Sequence, residues 1–263
     1  MNVTEKFGYF LGGKRDHHDS RDQLLKMPRL SRESVGEVDV FAGRSLPVYD
    51  QFNLGSCTAN AGALYRRWLA QTFPKYSAPD QDLSRLFLYY MERLLPWNSS
   101  VDEDSGASTR DVCIVICKTG VCPESEMPYD VNDFRKAPTE KQLSDAAKFK
   151  AGAYHRVSDV DTAISCLVGP SPYPVLLGVS LYREFERIGS DGVMTMPLLG
   201  ERPIGGHEMV IHGYSSERRA FRVQNSWSPN WGDAGHLWMP EAYLDDQNLS
   251  GPDMAIVHLG PPW

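Results

Sequence analysis

The apolar residues of this chain change their period partway along it, and that change restricts the fold more than any other feature. Between Thr58 and Phe73, the residues Ala61, Leu64, Tyr65, Trp68 and Leu69 recur at helical spacing, and Pro74 closes the run. "LSRLFLYYMERLL" repeats the pattern through Leu83, Leu86, Phe87, Tyr90, Met91 and Leu94 before Pro96 stops it. A third helix is predicted over Ser108 to Thr119, ended by Gly120 and Pro123. After Asp130 the texture differs. "PTEKQLSDAAKFK" and "SDVDTAISCLV" are short helix candidates, whereas "PVLLGVSLY", "GGHEMVIHGYSS", "AFRVQNSW" and "GHLWMP" read as strands set apart by Gly and Pro. A helical lobe over residues 46–130 followed by a β-rich lobe over 131–263 predicts an α+β protein. The cleft between two such lobes is a natural site for chemistry.

Composition narrows the function. With 41% hydrophobic and 23% charged residues the chain is ordinary for a globular protein, and 263 residues suffice for a sizeable core. A formal net charge of −7 disfavours nucleic acid and anionic membranes as partners, since both select basic surfaces. No apolar run is long enough to span a bilayer, and "MNVTEKFGYFLGGKRDHHD" lacks a signal peptide's apolar core, so the expected location is cytoplasmic. Five cysteines, an odd number in a chain that needs no staples, fit a reducing compartment. Cys113, Cys117 and Cys122 lack paired metal-ligand spacing and read, like Cys166, as small core residues, so no metal and no cofactor is expected. His212 and His236 read as structural.

Cys57 stands apart. It follows the Gly55-Ser56 step at the start of the first helix, where unpaired N–H groups and the helix dipole favour a thiolate. A base is required, and His207 of "GGHEMVIHGY" sits at the start of a predicted strand. Asn225 of "VQNSWSPNWGDAGHLW" is placed to orient that imidazole, with Trp227 to cover their hydrogen bond from water. Gln51 and the Cys57 backbone N–H are candidate donors to an oxyanion.

These three segments resemble the papain family of cysteine peptidases. "DQFNLGSC" is similar to the family's glutamine-to-cysteine loop, "GGHEMVIHGY" to its histidine strand, and "VQNSWSPNWGDAGHLW" to its asparagine block. The resemblance runs from about Leu46 to the C-terminus. It implies a two-lobed fold with a helical N-terminal lobe, an antiparallel β-barrel-like C-terminal lobe, and the active site between them. It implies Cys57 as nucleophile, His207 as acid and base, Asn225 as orienter and Gln51 as oxyanion donor. Gly106, Ala107, Gly206, Glu208 and Trp227 then fall against the substrate, a protein or peptide, and the enzyme is expected to be a monomer. The departures are Leu54 and the cysteine-free "DEDSGASTRD", where secreted members carry disulfide cysteines, and Thr58 in place of an aromatic. They fit a bacterial, disulfide-poor branch.

Three readings stay open: a cysteine endopeptidase, a transglutaminase or amidase on the same scaffold, and an inactive papain-like binding protein. Two finer expectations follow. Glu208, where a small apolar residue is commoner, either lines a pocket that takes arginine or turns outward into a surface ion pair. Residues 1–37 form a charge-rich arm, a candidate pro-segment. "FGYFLGG" is suited to lie across the cleft, and Lys14, Arg15 and Arg21 to anchor the arm to an acidic body; a plain tail is the alternative.

Overall fold

The structure, a computed structural model, describes residues 8–28, 30–74, 80–98 and 100–259. In chain order the strands are β1 (Gly13–Lys14), β2 (Glu37–Asp39), β3 (Ala107–Ser108), β4 (Ala153–Val157), β5 (Val175–Leu181), β6 (Gly205–Ser215), β7 (Ala220–Gln224), β8 (His236–Pro240) and β9 (Asp253–His258). The α-helices are α1 (Cys57–Thr72), α2 (Arg85–Arg93), α3 (Thr109–Lys118), α4 (Glu140–Ala146), α5 (Val160–Val168) and α6 (Glu241–Asp245).

The three helices expected in the first lobe form, and their ends have local causes. Ser84 caps α2 by accepting from the Phe87 N–H, and Ser108 with Asp111 makes a capping box on α3. α1 is buried over most of its length, including Tyr65, Trp68 and Leu69, because helices pack on one side of it and the sheet on the other. Its closest approach is at Gly62, where a Cβ would stand 2.3 Å from a methyl of Val112 in α3.

The second lobe is a seven-stranded sheet in the order β4-β9-β5-β6-β7-β8, with β2 also pairing with β6. Every pairing among these strands is antiparallel, and among the described residues the sheet is open, with β4 and β8 as its edges, rather than a closed barrel. β4 ("AYHRV") and β9 ("DMAIVH") escaped the sequence reading. The sheet positions the chemistry: β6 and β7 pair through Val210 and Gln224, so His207 near the start of β6 lies beside Asn225, just past the end of β7.

The arm divides into a root and a tip. At the root, Leu25 is buried, residues 23–25 hydrogen-bond along β4 at Arg156, and β2 lies in the sheet. The tip leaves the sheet and runs into the cleft, where β1 pairs in parallel with β3, Gly13 opposite Ala107 and Lys14 opposite Ser108.

Candidate active site

α1 begins at Cys57, and Ser56, its N-cap, makes no side-chain capping bond; its hydroxyl instead meets the Tyr129 hydroxyl at 2.6 Å. The first N–H groups of α1 therefore face the thiol without a competing side-chain acceptor at the cap. Gly55 leads into this turn with its N–H held by both carboxylate oxygens of Asp104, at 3.0 and 3.1 Å.

His207 and Asn225 are both buried, and the His207 Nε2 lies 2.7 Å from Asn225 Oδ1. The same oxygen accepts from the Ser226 N–H at 2.8 Å, which fixes the carboxamide with its oxygen toward the ring. Nε2 is thereby the protonated nitrogen, and Nδ1 is left as the basic one. Trp227 lies over the imidazole with ring centroids 5.2 Å apart, as the sequence suggested.

Gln51 is held from three sides. Its backbone N–H donates to Ser226 O at 2.9 Å, its Oε1 accepts from the Ser226 hydroxyl at 2.7 Å, and its own carbonyl accepts from Tyr129. The Nε2 must then face the cleft. Ser226 is the positioning residue the sequence reading missed; it ties the orienter and the oxyanion donor into one network, and its place inside "QNSW" was the available signal.

The tip of the arm fills the space between these groups. Gln51 Nε2 donates to the Phe10 carbonyl at 2.9 Å, and the Ala107 N–H donates to the Gly12 carbonyl at 3.0 Å. Gly12 lies against the Gly55 carbonyl, and Gly13 against the backbone of Gly206 and His207. Tyr9 stacks on Trp227 with ring centroids 4.9 Å apart. Only glycine fits the contact: a Cβ on Gly106 would lie 1.9 Å from Gly12 O, and one on Gly206 would lie 2.2 Å from Gly13 O.

Among the described residues no hydrogen bond joins Cys57 to His207. The Nδ1 of His207 is buried without a hydrogen-bond partner. Burial pushes the Cys57 thiol up to about 12. Burial pulls His207 down to about 4, against the supporting bond from Asn225. With the arm in place both groups are neutral at pH 7.

At the tip the anchor has the opposite polarity to the one expected, whereas at the root Arg32 pairs with Asp161 and Asp245. Arg21 pairs with Asp19 two residues away, Lys14 reaches Asn98, and the Arg15 guanidinium lies over Gly251. The anchoring charge on the tip is Asp16, which accepts from the Arg110 N–H at 3.0 Å and from the Arg156 guanidinium. Net charge averages over a surface, whereas an anchor depends on the two arginines that the fold places at this end of the cleft. Glu208 neither turns outward nor pairs with a cation. It is buried, its Oε2 accepts from the Thr109 hydroxyl at 2.7 Å, and burial with the Asp16 and Asp253 charges holds its carboxyl well above the usual range.

A thiol at a helix start, a buried imidazole with Nδ1 as its basic nitrogen, and two positioned carboxamides are a set for nucleophilic acyl transfer. The family model of the papain family cysteine proteases matches residues 45–250, and the chain belongs to that family. It is a hydrolase of the peptidase class. An uncharacterized peptidase C1-like protein of Acanthamoeba polyphaga mimivirus is 34% identical over 231 residues, covering 83% of this chain and 72% of the relative. Xylellain, a cysteine protease from Xylella fastidiosa, superposes with a TM-score of 0.83 at 32% identity over 97% of each chain. A thiol protease of Hemerocallis is 24% identical over 263 residues, 95% of this chain and 68% of the plant protein. Relatives in a virus, a bacterium and a plant do not assign the chain to the bacterial branch.

Proposed function

We propose that the protein is a cysteine endopeptidase whose N-terminal arm holds it latent. The observation that carries the reading is the buried 2.7 Å contact between His207 Nε2 and Asn225 Oδ1, which leaves Nδ1 as the basic nitrogen of the ring. Once the arm leaves and water returns, the penalty on charge falls, and the proton passes from Sγ to Nδ1 to give a thiolate and an imidazolium. The thiolate attacks a peptide carbonyl carbon, and the oxyanion that forms takes hydrogen bonds from Gln51 Nε2 and the Cys57 N–H. His207 then gives its proton to the departing amine, leaving a thioester on Cys57. Water attacks that thioester while His207 Nδ1 takes its proton. The acid product departs and free Cys57 is restored. Asn225 in the orienting place favours hydrolysis over the transglutaminase reading, whose families usually use aspartate there.

Turnover of a dye-releasing peptide by the full chain and by Cys57→Ala tests this. Cys57→Ala is expected to fold and to release no dye; retained activity would exclude Cys57 as the nucleophile.

A further inference from the structure

We infer that the end of the cleft holds a subsite for an acidic side chain of the substrate, built from Arg156 and the first turn of α3, which Asp16 occupies in the latent enzyme. The inference rests on the peptidase reading, because it concerns what enters the cleft when the arm leaves.

Asp16 is a bound ligand in all but covalent connection. One carboxylate oxygen accepts from the Arg110 N–H at 3.0 Å, in the first turn of the ten-residue helix α3, where N–H groups lack partners and the dipole favours an anion. The other accepts from Arg156 Nη1, whose guanidinium is almost wholly buried. Arg156 also pairs with Asp253 at 2.9 Å, and that pair holds the guanidinium in place whether or not Asp16 is present. Asp253 further accepts from the Asp16 backbone N–H at 2.9 Å, so the site grips backbone and side chain together. These groups belong to the body of the protein and remain when the tip departs.

One further titratable neighbour bears on the subsite. Glu208 is buried in the same cluster, and one of its oxygens has no hydrogen-bond partner. Had it been ionised, Glu208 and Asp253 together would outweigh Arg156 and draw a cation. Burial instead holds its carboxyl well above the usual range and so disfavours the charged form, which weakens any counter-charge for an arginine. The Arg156–Asp253 pair is then balanced. The N–H groups of α3 tip the preference toward a carboxylate. Asp16 lies three residues beyond Gly13, which packs against Gly206 and His207. The acidic residue of a substrate should therefore fall three to six positions from the scissile bond, on the side that pairs with Ala107.

The test uses the full chain carrying Gly12→Val to expel the tip, Asp16→Ala to empty the subsite, and Cys57→Ala to separate binding from turnover. Fluorescent peptides with Asp, Asn or Arg walked through the third to sixth positions on either side of the scissile bond are titrated by anisotropy. A charge-assisted contact of this kind is expected to make one Asp peptide bind at least about tenfold more tightly than its Asn counterpart. Arg156→Met should reduce that ratio to about one, and Arg156→Lys should retain part of it. Equal binding of Asp and Asn peptides at every position, a preference for Arg, or a preference unmoved by Arg156→Met would overturn the subsite. The Asp against Asn comparison stands without the Arg156 variants, so misfolding of those leaves it decisive. Hydrolysis is followed in parallel with Cys57 restored: binding preference without turnover would sink the peptidase reading and leave the subsite.

Discussion

Gln51 Nε2 donates to the carbonyl of Phe10 at 2.9 Å, so the donor suited to an oxyanion already holds a carbonyl from the same chain. The arm therefore uses the reaction's own machinery as its binding site. Gln51→Ala should act in two opposite directions. On the Gly12→Val background it should lower kcat about 10²-fold by removing an oxyanion donor. In the otherwise native chain it should loosen the tip and speed reaction of Cys57 with a thiol reagent. Steady-state dye release on the first background and alkylation kinetics on the second check the two arms separately.

Asn225→Ala removes the acceptor that fixes the His207 tautomer and also one partner of the Ser226 N–H. Its cost in kcat, measured with the tip expelled, should be smaller than that of His207→Ala, because a freed imidazole still supplies a base. Combining Asn225→Ala with His207→Ala should cost no more than His207→Ala alone, since the two act as one unit. Additive losses in log kcat across this cycle would show that Asn225 acts elsewhere.

Glu92 gives a prediction for stability. It is fully buried beneath the start of α1, its Oε2 accepts from the Thr58 hydroxyl at 2.6 Å, and its Oε1 has no partner. Burial pushes its carboxyl up to about 8. From its ordinary value of 4.5 up to about 8, the folded state keeps a proton that the unfolded state has lost, so the contribution of Glu92 falls as pH rises through that window. Glu92→Gln cannot ionise. Its unfolding free energy relative to wild type should increase by roughly 1–3 kcal/mol between about pH 5 and about pH 9, read from urea midpoints. A difference independent of pH would mean that Glu92 ionises as easily folded as unfolded.

How much of this was legible in the sequence differs from residue to residue. The places of Cys57, His207, Asn225 and Gln51 were readable because each lies in a contiguous motif whose local structure the neighbouring glycines and helix signals announce. The α1, α2 and α3 helices were readable from their apolar spacing and from the Pro and Gly residues that end them. Ser226 was not, since its role depends on a strand end and a loop 175 residues apart meeting across the cleft. The arm was half legible. Its glycines and aromatic residues suited a cleft, but the choice of Asp16 over Lys14, Arg15 and Arg21 as anchor depends on where Arg110 and Arg156 stand in space. The burial of Glu208 was hidden for the same reason: it depends on α3, whose Thr109 hydroxyl the fold brings onto the Glu208 carboxyl from 99 residues away.

The central claim is that the tip of the arm, by sitting between Cys57 and His207, keeps the nucleophile neutral and inaccessible. Gly12 is the position where this is most exposed to test, because a Cβ there would stand 2.0 Å from the Gly55 carbonyl oxygen, a backbone atom that cannot move aside. Gly12→Val should expel the tip while leaving the root, with buried Leu25 and β2, in place. The measurement is the second-order rate at which an epoxysuccinyl peptide inactivates full-length wild type and Gly12→Val at equal pH. The account predicts that the variant reacts at least about tenfold faster, by the fraction of molecules whose cleft is open. Equal rates in two well-folded proteins would contradict it.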